Sequence, residues 1–154
     1  MYYISWNEFE SLALDLAKNI DLSNKKYDLI VTVGRGGLLL GRILASLLKL
    51  PLGVIFAKTI NKKYEISEDI SCLFEIKGNV LLVDDLMDDN ALLIQKKIKS
   101  KYSKVQTITL ASIFYKNSNN FKPDYSLNKI KHEMTLIFPY QEMALQKNYK
   151  LFME

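Results

Sequence analysis

The sequence places four carboxylates directly after one apolar run. Val80-Leu-Leu-Val83 leads into Asp84 and Asp85, and Asp88 and Asp89 follow two residues later. Carboxylates that lie close together repel one another, and each resists removal from water. A cation, a sugar or a proton in transfer would give such a cluster a purpose. Asp84 and Asp85 could therefore hold a magnesium ion or bind the two hydroxyls of a ribose.

Other interpretations of this acidic segment explain less of it. Asp88 and Asp89 would also suit the solvated start of a helix, where a carboxylate contributes about 0.3–1 kcal/mol against the dipole. An EF-hand is excluded, because the segment lacks the central glycine and the glutamate at the twelfth position. A receiver-like magnesium domain would carry its acidic pair on the first strand and a further aspartate on a later one. The sequence has no good candidate for that arrangement.

A glycine-rich turn, Gly34-Arg35-Gly36-Gly37, ends a second apolar run. Glycines at the end of a strand let backbone N–H groups approach an anion closely, and the start of the following helix favours negative charge. The guanidinium of Arg35 adds donors that suit phosphate oxygens. The chain has no GxxxxGK[ST] loop, and Leu39 stands where the dinucleotide pattern GxGxxG needs its last glycine. The turn predicts an anion site, and a tight turn with an exposed arginine is the alternative.

The elements that must hold these two loops alternate between strand and helix. After a capping-box pattern at Ser5 and Glu8, hydrophobic periodicity predicts a helix, then strands at 28–33, 52–57, 80–83, 105–114 and 135–138, with helices at 38–50 and 90–101. This order predicts an α/β domain with a mostly parallel sheet and helices on both faces. Residues 59–78 show no clear period, 116–122 read as a loop, and the tail reads as irregular. Ligands bind at the carboxyl ends of such strands, where both loops fall.

The length and composition of the chain limit the number of domains, the location and the partners that we expect for the protein. The chain has 154 residues, of which 49% are hydrophobic and 25% charged, and its one cysteine is Cys72. These values predict one soluble domain over residues 1–154, and a lone cysteine fits a reducing cytoplasm. The net charge of +4 comes largely from dispersed lysines, which does not favour nucleic acid as a partner. No apolar run reaches the roughly 20 residues that span a bilayer, so no membrane partner is expected.

Together, the two loops resemble those of the type I phosphoribosyltransferases. VLLVDDLMDDNAL at 80–92 is similar to the family's phosphoribosyl-pyrophosphate motif, and VTVGRGGLLLGRIL at 31–44 is similar to its pyrophosphate loop. Ile113-Phe-Tyr-Lys116, followed by Lys122-Pro-Asp-Tyr125, resembles the purine branch, close to the xanthine-guanine and hypoxanthine-guanine enzymes. The resemblance covers about residues 5–142. It implies a magnesium-dependent enzyme that transfers phosphoribosyl from phosphoribosyl pyrophosphate to a 6-oxopurine.

Carried over residue by residue, the resemblance also implies a site. Asp84 and Asp85 would hold magnesium and the ribose hydroxyls, and Asp88 would handle a proton near N7 of the purine. The 5′-phosphate would bind to the backbone of Asp88, Asp89, Asn90, Ala91 and Leu92. The pyrophosphate would bind to Arg35, Gly36 and Lys58, and the purine would contact Lys116, Leu136 and Ile137. Residues 59–78 would form a mobile hood and residues 134–154 the base-site segment and tail. A homodimer or homotetramer is expected.

The sequence departs from the family pattern at two places. The phosphate loop reads Asp88-Asp-Asn-Ala-Leu92 where the family has Asp-Thr-Gly-x-Thr, so a carboxylate and a leucine replace two hydroxyls. Thr135 stands where the xanthine-guanine branch stacks a tryptophan on the base. These departures keep a second function open, in which the protein binds a nucleotide or a phosphorylated sugar as a sensor without turnover.

Overall fold

The computed structural model of the chain describes residues 1–116 and 120–145. Within them the helices are α1 (Trp6–Leu22), α2 (Leu38–Leu48), α3 (Asn90–Lys101) and α4 (Pro139–Leu145). The strands are β1 (Tyr2–Tyr3), β2 (Leu29–Gly34), β3 (Leu52–Ile60), β4 (Lys63–Ile66), β5 (Gly78–Met87), β6 (Val105–Lys116), β7 (Tyr125–Ile130) and β8 (Leu136–Ile137). Part of the predicted loop at 116–122 and the tail after residue 145 lie outside the described residues.

The main sheet has the strand order β4-β3-β2-β5-β6-β7. Neighbouring strands run parallel, except that β3 and β4 form an antiparallel hairpin. A separate two-stranded sheet pairs β1 with β8 in parallel. The predicted α/β class with a mostly parallel sheet is therefore confirmed. No helix among the described residues is both long and apolar enough to cross a bilayer.

Strand β2 shows how the sheet is buried on both faces. All six of its residues are buried, as its run of apolar residues predicts. Leu29, Val31 and Val33 pack into the layer that contains α3, whereas Ile30 packs into the layer that contains α1 and α2. Each such side chain contributes roughly 1.5–3 kcal/mol when it is fully buried. These two layers hold the carboxyl ends of β2 and β5 in place.

The helix ends are mostly those that the sequence predicts. The hydroxyl of Ser5 accepts the backbone N–H of Glu8 at 3.1 Å and so begins α1. The carboxylate of Glu8 accepts the hydroxyl of Tyr2 at 2.6 Å, which ties β1 to the helix start. Helix α2 ends at Leu48, two residues earlier than predicted, because Lys49 adopts the left-handed conformation with φ of 54°.

The segment 59–78 is more ordered than its sequence suggests, because β3 runs on to Ile60 and turns back into β4. Asn61 and Lys62 both have positive φ, of 48° and 65°, which is the backbone that a tight two-residue hairpin turn requires. The turn lacks the glycine that usually marks such a hairpin, and this absence hid it from the sequence pattern.

Two further elements in the second half of the chain were not predicted. Strand β7 pairs with β6 in parallel although few residues connect them, and the Asp124 carboxylate fixes the junction by accepting the Leu110 N–H at 2.8 Å. Helix α4 replaces the start of the expected irregular tail, and it begins at Pro139, a residue that suits the first helical position. The predicted strand at 135–138 is shorter, Leu136–Ile137, and pairs with β1 instead of the main sheet.

Candidate active site

The glycine-rich turn lies at the carboxyl end of β2 and leads into α2. Arg35 is exposed, while Gly37 is buried. A Cβ at position 37 would lie 2.7 Å from the Thr32 hydroxyl and 2.9 Å from the Val33 carbonyl oxygen. Only glycine fits there without displacing backbone, so the packing of the turn accounts for that residue type. The chain then enters α2 at Leu38, which directs the start of the helix toward the turn.

Asp84 and Asp85, the acid pair, lie on the neighbouring strand β5 and are part of that strand. We expected β5 to end at Val83, but it continues to Met87, and Asp84 pairs with Ser112 of β6. Asp85 is only 5% exposed. Its Oδ1 accepts the Leu86 N–H at 2.7 Å, and Oδ1 of Asp84 accepts the Asp85 N–H at 2.9 Å. These bonds to their own backbone hold both carboxylates in fixed orientations.

Burial dominates the electrostatics of the acid pair. It raises the pKa of Asp84 well above its ordinary value, and the charge of Asp85 adds to the effect. Burial also raises the pKa of Asp85. The pKa of the Tyr64 hydroxyl on β4 is also raised. Burial, followed by the charges of Asp84 and Asp88, raises it to about 12. The pocket therefore favours a cation or a hydroxyl donor beside these carboxylates.

The segment predicted to bind the 5′-phosphate follows β5 and enters α3. The Asp88 carboxylate accepts the Asn90 N–H at 3.0 Å, and the Asp88 carbonyl accepts the Ala91 N–H at 3.1 Å. The Leu92 N–H donates to the Asp89 carbonyl, also at 3.1 Å. Three of the amides expected to cradle phosphate are thus already bonded within the chain. An incoming phosphate would have to compete with these local bonds.

Two neighbouring cavities, which share several lining residues, lie over the turn. The smaller, of about 260 Å³, brings together five of the predicted residues, namely Arg35, Gly36, Asp84, Asp85 and Leu136. The larger, of about 1170 Å³, also borders Arg35 and Gly36 and extends under the β3–β4 hairpin. Leu136 lines both cavities, and Lys58 and Ile137 line the larger one. The structure therefore assembles the residues predicted for pyrophosphate, for the ribose and for the C2 edge of the purine.

The other predicted residues lie beside these cavities rather than in their walls. Neither cavity is lined by Asp88, Asp89, Asn90, Ala91, Leu92 or Lys116 within the described part of the chain. Lys116 is the last residue of β6, and its neighbour Tyr115 pairs with Met87, the residue before Asp88. The side chains of Asp88 and Lys116 therefore begin from adjacent strand ends, next to the acid pair.

The C-terminal segment, which the sequence assigned to the base site, also contacts the two loops through Tyr140, and these contacts were not predicted. The hydroxyl of Tyr140 contacts Oδ2 of Asp85 and lies 3.2 Å from the carbonyl oxygen of Gly36. Burial, and then the Asp85 charge, raises the pKa of Tyr140, so this hydroxyl stays protonated and donates. Gln141 lines both cavities, and its Oε1 accepts the Phe138 N–H at 3.0 Å. No local pattern marks these contacts.

The hairpin side of the site is anchored to α3 at its base. Lys97 lies 3.2 Å from the Glu68 carboxylate and 3.2 Å from the Ile66 carbonyl oxygen. Lys101 lies 2.6 Å from the Asp69 carboxylate. These surface ion pairs are weak one by one, but together they connect the expected hood to the core. Tyr64 could have been identified from the alternation in Lys63-Tyr-Glu-Ile66 after the turn.

The acid pair fits the chemistry of magnesium. Asp84 and Asp85 offer carboxylate oxygens, which this hard cation prefers, and both line the smaller cavity. Among the described residues no group of three or more His, Cys, Asp or Glu side chains could hold a metal by itself. Magnesium commonly binds through one or two carboxylates together with substrate phosphates, so a pair is sufficient when the substrate supplies the rest.

The fold and the paired loops agree with a comparison against known families. The sequence profile described as the phosphoribosyl transferase domain matches residues 5–142. The chain belongs to the phosphoribosyltransferase family. This confirms the resemblance seen in the sequence, over the same part of the chain.

Solved structures with the same fold include purine phosphoribosyltransferases. The purine phosphoribosyltransferase of Pyrococcus horikoshii has a TM-score of 0.76 at 26% identity, over 91% of this chain and 93% of that one. The xanthine-guanine-hypoxanthine phosphoribosyltransferase of Helicobacter pylori has a TM-score of 0.77 at 22% identity, over 94% of this chain and 95% of that one.

A curated relative shares only part of its length with this chain. It is the ribose-phosphate pyrophosphokinase of Mycoplasma genitalium, 34% identical over 80 residues, which are 51% of this chain. The match spans 24% of that relative, or about a quarter of its length.

Proposed function

We propose that this phosphoribosyltransferase uses magnesium and phosphoribosyl pyrophosphate to transfer phosphoribosyl to a 6-oxopurine (guanine, xanthine or hypoxanthine), releasing pyrophosphate. One observation carries the proposal. The turn that would bind an anion and the acid pair that would bind a ribose share one cavity, and Gly36 lies directly against Asp85. A donor that joins a sugar to a pyrophosphate needs these two partners at this separation.

The cleavage step requires stabilisation of opposite charges. Pyrophosphate leaves C1 of the ribose with the bonding electron pair, and the sugar develops oxocarbenium character. The guanidinium of Arg35 and the ammonium of Lys58, which both border the larger cavity, would attract the departing anion. Bound by Asp84 and Asp85, magnesium would offset negative charge on the pyrophosphate. The two carboxylates would also bind the ribose hydroxyls and stabilise the positive charge on the sugar.

The acceptor would lie on the other side of the ribose. A purine nitrogen supplies the electron pair of the new bond to C1, and Asp88 would exchange the proton at N7. Lys116, from the adjacent strand end, would donate to the 6-oxo group, while the backbone at Leu136 and Ile137 would contact the C2 edge. The hairpin that carries Tyr64 would exclude water, because hydrolysis of the donor competes with transfer.

The names of similar proteins support this proposal. The Pyrococcus horikoshii protein is named a purine phosphoribosyltransferase, and the curated relative is named for ribose phosphate and pyrophosphate, the groups that this donor joins. A cytoplasmic location and a homodimeric or homotetrameric state stay predictions from the sequence.

One observation favours the second candidate function, a sensor that binds a nucleotide or phosphorylated sugar without turnover. The amides of Asn90, Ala91 and Leu92 are bonded within the chain. Asp89 is the N-cap residue of α3, so the loop expected to bind the phosphate carries a second carboxylate beside Asp88. A carboxylate beside a dianionic phosphate is repulsive unless a cation intervenes. Such a loop would weaken the donor site.

Calorimetric titration of phosphoribosyl pyrophosphate with and without magnesium tests the proposal, followed by turnover of guanine, hypoxanthine, xanthine and adenine in the same sample. Magnesium-dependent binding with nucleotide formation from a 6-oxopurine is the expected result. Binding without turnover would support the sensor, and turnover of adenine alone would contradict the 6-oxopurine assignment.

The phosphate loop itself separates the two functions. Restoring the family pattern with Asp89→Thr, Asn90→Gly and Leu92→Thr together should strengthen donor binding if the loop has merely degenerated. Leu93→Thr is a matched control, because Leu93 is exposed on the same turn of α3 and has no assigned role. Weaker donor binding in the triple variant would show that the loop is adapted to another ligand.

A further inference from the structure

A single hydroxyl connects the two loops of the site. The hydroxyl of Tyr140 contacts Oδ2 of Asp85 and lies 3.2 Å from the Gly36 carbonyl oxygen. Its one proton thus lies between two acceptors, of which the carboxylate is the stronger. No other described side chain is bonded to both the acid pair and the glycine-rich turn. The contact also spans the chain, since Tyr140 and Asp85 are 55 residues apart.

The ring that carries this hydroxyl is fixed by aromatic packing. Tyr140 stacks on Phe138 with ring centroids 5.5 Å apart and an angle of 10° between the planes. The edge of Phe9 in α1 meets the same ring, with centroids 5.8 Å apart and planes at 82°. Such contacts orient a ring without using its polar atom. The position of the hydroxyl is therefore fixed by packing of the Tyr140 ring in the core, and not by contacts within the site.

Asp85 needs an external partner of this kind. Its Oδ1 is bonded to the Leu86 N–H within the same strand, and its Oδ2 contacts the Tyr140 hydroxyl from another element. Gly36 lies so close that a Cβ there would be 2.9 Å from Oδ1 and 3.1 Å from Oδ2. The carboxylate and the turn are therefore closely packed. The Tyr140 hydroxyl limits rotation of the Asp85 carboxylate and contacts the Gly36 carbonyl at the same time.

We propose that Tyr140 is a positioning residue for the pyrophosphate end of the donor site, because its hydroxyl fixes Asp85 and the Gly36 turn relative to each other. This inference rests on the proposed function, which places pyrophosphate at Arg35 and Gly36. The effect falls on the donor, because the purine contacts of Lys116 and Leu136 lie on other elements. Loss of the hydroxyl therefore raises the KM for phosphoribosyl pyrophosphate and changes the KM for the purine little.

The variant Tyr140→Phe removes the hydroxyl and keeps the stacked ring. Tyr27→Phe is the matched control, because Tyr27 also uses its hydroxyl in a side-chain bond, to Tyr125 at 3.1 Å, at the opposite edge of the sheet before β2 begins. The measurements are calorimetric titration of pyrophosphate with magnesium, thermal unfolding, and the KM values for donor and purine. Pyrophosphate binding reports on the site even when turnover is slow.

For Tyr140→Phe we expect the dissociation constant of magnesium pyrophosphate and the KM of the donor to rise about tenfold, as for the loss of one hydrogen bond to a charged group. The KM of the purine stays within about twofold, and Tyr27→Phe binds as the wild type does. If the two variants bind pyrophosphate equally well, the role of Tyr140 is contradicted and the proposed function is not. The same holds if Tyr140→Phe raises only the KM of the purine. A wild-type protein that binds neither pyrophosphate nor the donor overturns the proposed function and this inference together.

Discussion

Gly36 and Asp85 are in direct contact, so the glycine-rich turn and the acid pair form one continuous surface. A Cβ at position 36 would lie 2.9 Å from one carboxylate oxygen and 3.1 Å from the other. A Cβ atom essentially never lies within 3.0 Å of another non-bonded heavy atom, and the Asp85 carboxylate is held by Leu86 and Tyr140. The glycine is therefore required by its neighbour in space. The sequence predicted an anion site at this glycine, but not its contact with Asp85.

Gly36→Ala should weaken donor binding at least tenfold, because the added methyl group must displace the carboxylate of Asp85 and overpacking of this kind costs roughly 1–3 kcal/mol. Calorimetric titration of phosphoribosyl pyrophosphate measures the effect. Gly53→Ala is a matched control, since its Cβ would lie 2.9 Å from a methyl group of Ile70, away from the acid pair. Both variants should lose stability, but only Gly36→Ala should lose affinity. Unchanged donor binding in Gly36→Ala would show that the glycine-rich turn is not part of the donor site.

Asp88→Asn should lower turnover by about 10²–10⁴-fold, the contribution of a positioned proton-transfer group, while donor affinity changes far less. The substitution is conservative here, because an asparagine oxygen can still accept the Asn90 N–H that the Asp88 carboxylate accepts at 3.0 Å. Loop geometry is thereby preserved, and the charge alone is lost. Steady-state kinetics and calorimetry on one preparation give the two values. Wild-type turnover in Asp88→Asn would remove this residue from the mechanism.

Lys116→Ala should raise the KM for guanine and hypoxanthine about 10–100-fold, the range expected for losing a charged hydrogen bond to the 6-oxo group. Donor binding should be unaffected, because Lys116 lines neither cavity at the turn. Lys129→Ala provides the control: Lys129 is exposed on β7 and pairs with Tyr115, the residue beside Lys116. If both variants use the purines equally well, Lys116 does not read the 6-oxo group.

The parts of the fold that the sequence predicts are those with uninterrupted burial. Every residue of β2, and every residue at 80–83 of β5, is buried, because helices cover both faces of the sheet. The two loops were recognisable for the opposite reason, since glycines and paired carboxylates are unusual beside such strands. Local composition was therefore sufficient for the sheet and for the residues at its carboxyl edge.

The parts that the sequence did not reveal depend on contacts between distant residues. Tyr140 reaches the site through Asp85 and the Gly36 carbonyl, and nothing in the sequence near any of these three residues indicates the others. The β3–β4 hairpin turns at Asn61 and Lys62 without a glycine, so Tyr64 appeared to lie in an irregular segment. Strand β5 passes through the acid pair because β6 provides partners up to Met87, which the apolar run ending at Val83 cannot show. These features are determined by strand pairing and side-chain packing between distant residues, and not by the local secondary-structure propensity of the sequence.

The acid pair should make the ligand-free protein less stable as pH rises. Burial, and then the charge of Asp85, raises the pKa of Asp84 above its ordinary value of 3.8. Between the unfolded and the folded pKa, the folded state therefore binds more protons than the unfolded chain. The free energy of unfolding then decreases with increasing pH. This contribution is fully present below the unfolded pKa and is lost as pH rises through the folded pKa.

Asp84→Asn should consequently raise the unfolding temperature at pH 7–8 in the presence of a chelator, by about 2–4 °C for each ~1 kcal/mol of destabilisation removed. The gain should shrink as pH falls toward 4, because the wild-type carboxyl is then protonated in the folded state and the pH approaches the unfolded pKa of 3.8. Asp21→Asn, which changes an exposed carboxylate on α1, should show no such trend. Thermal unfolding from pH 5 to pH 8 measures both variants. A gain that is constant across this range, or a loss at pH 8, would contradict the prediction, because a buried carboxylate that costs stability must cost most where it is ionised.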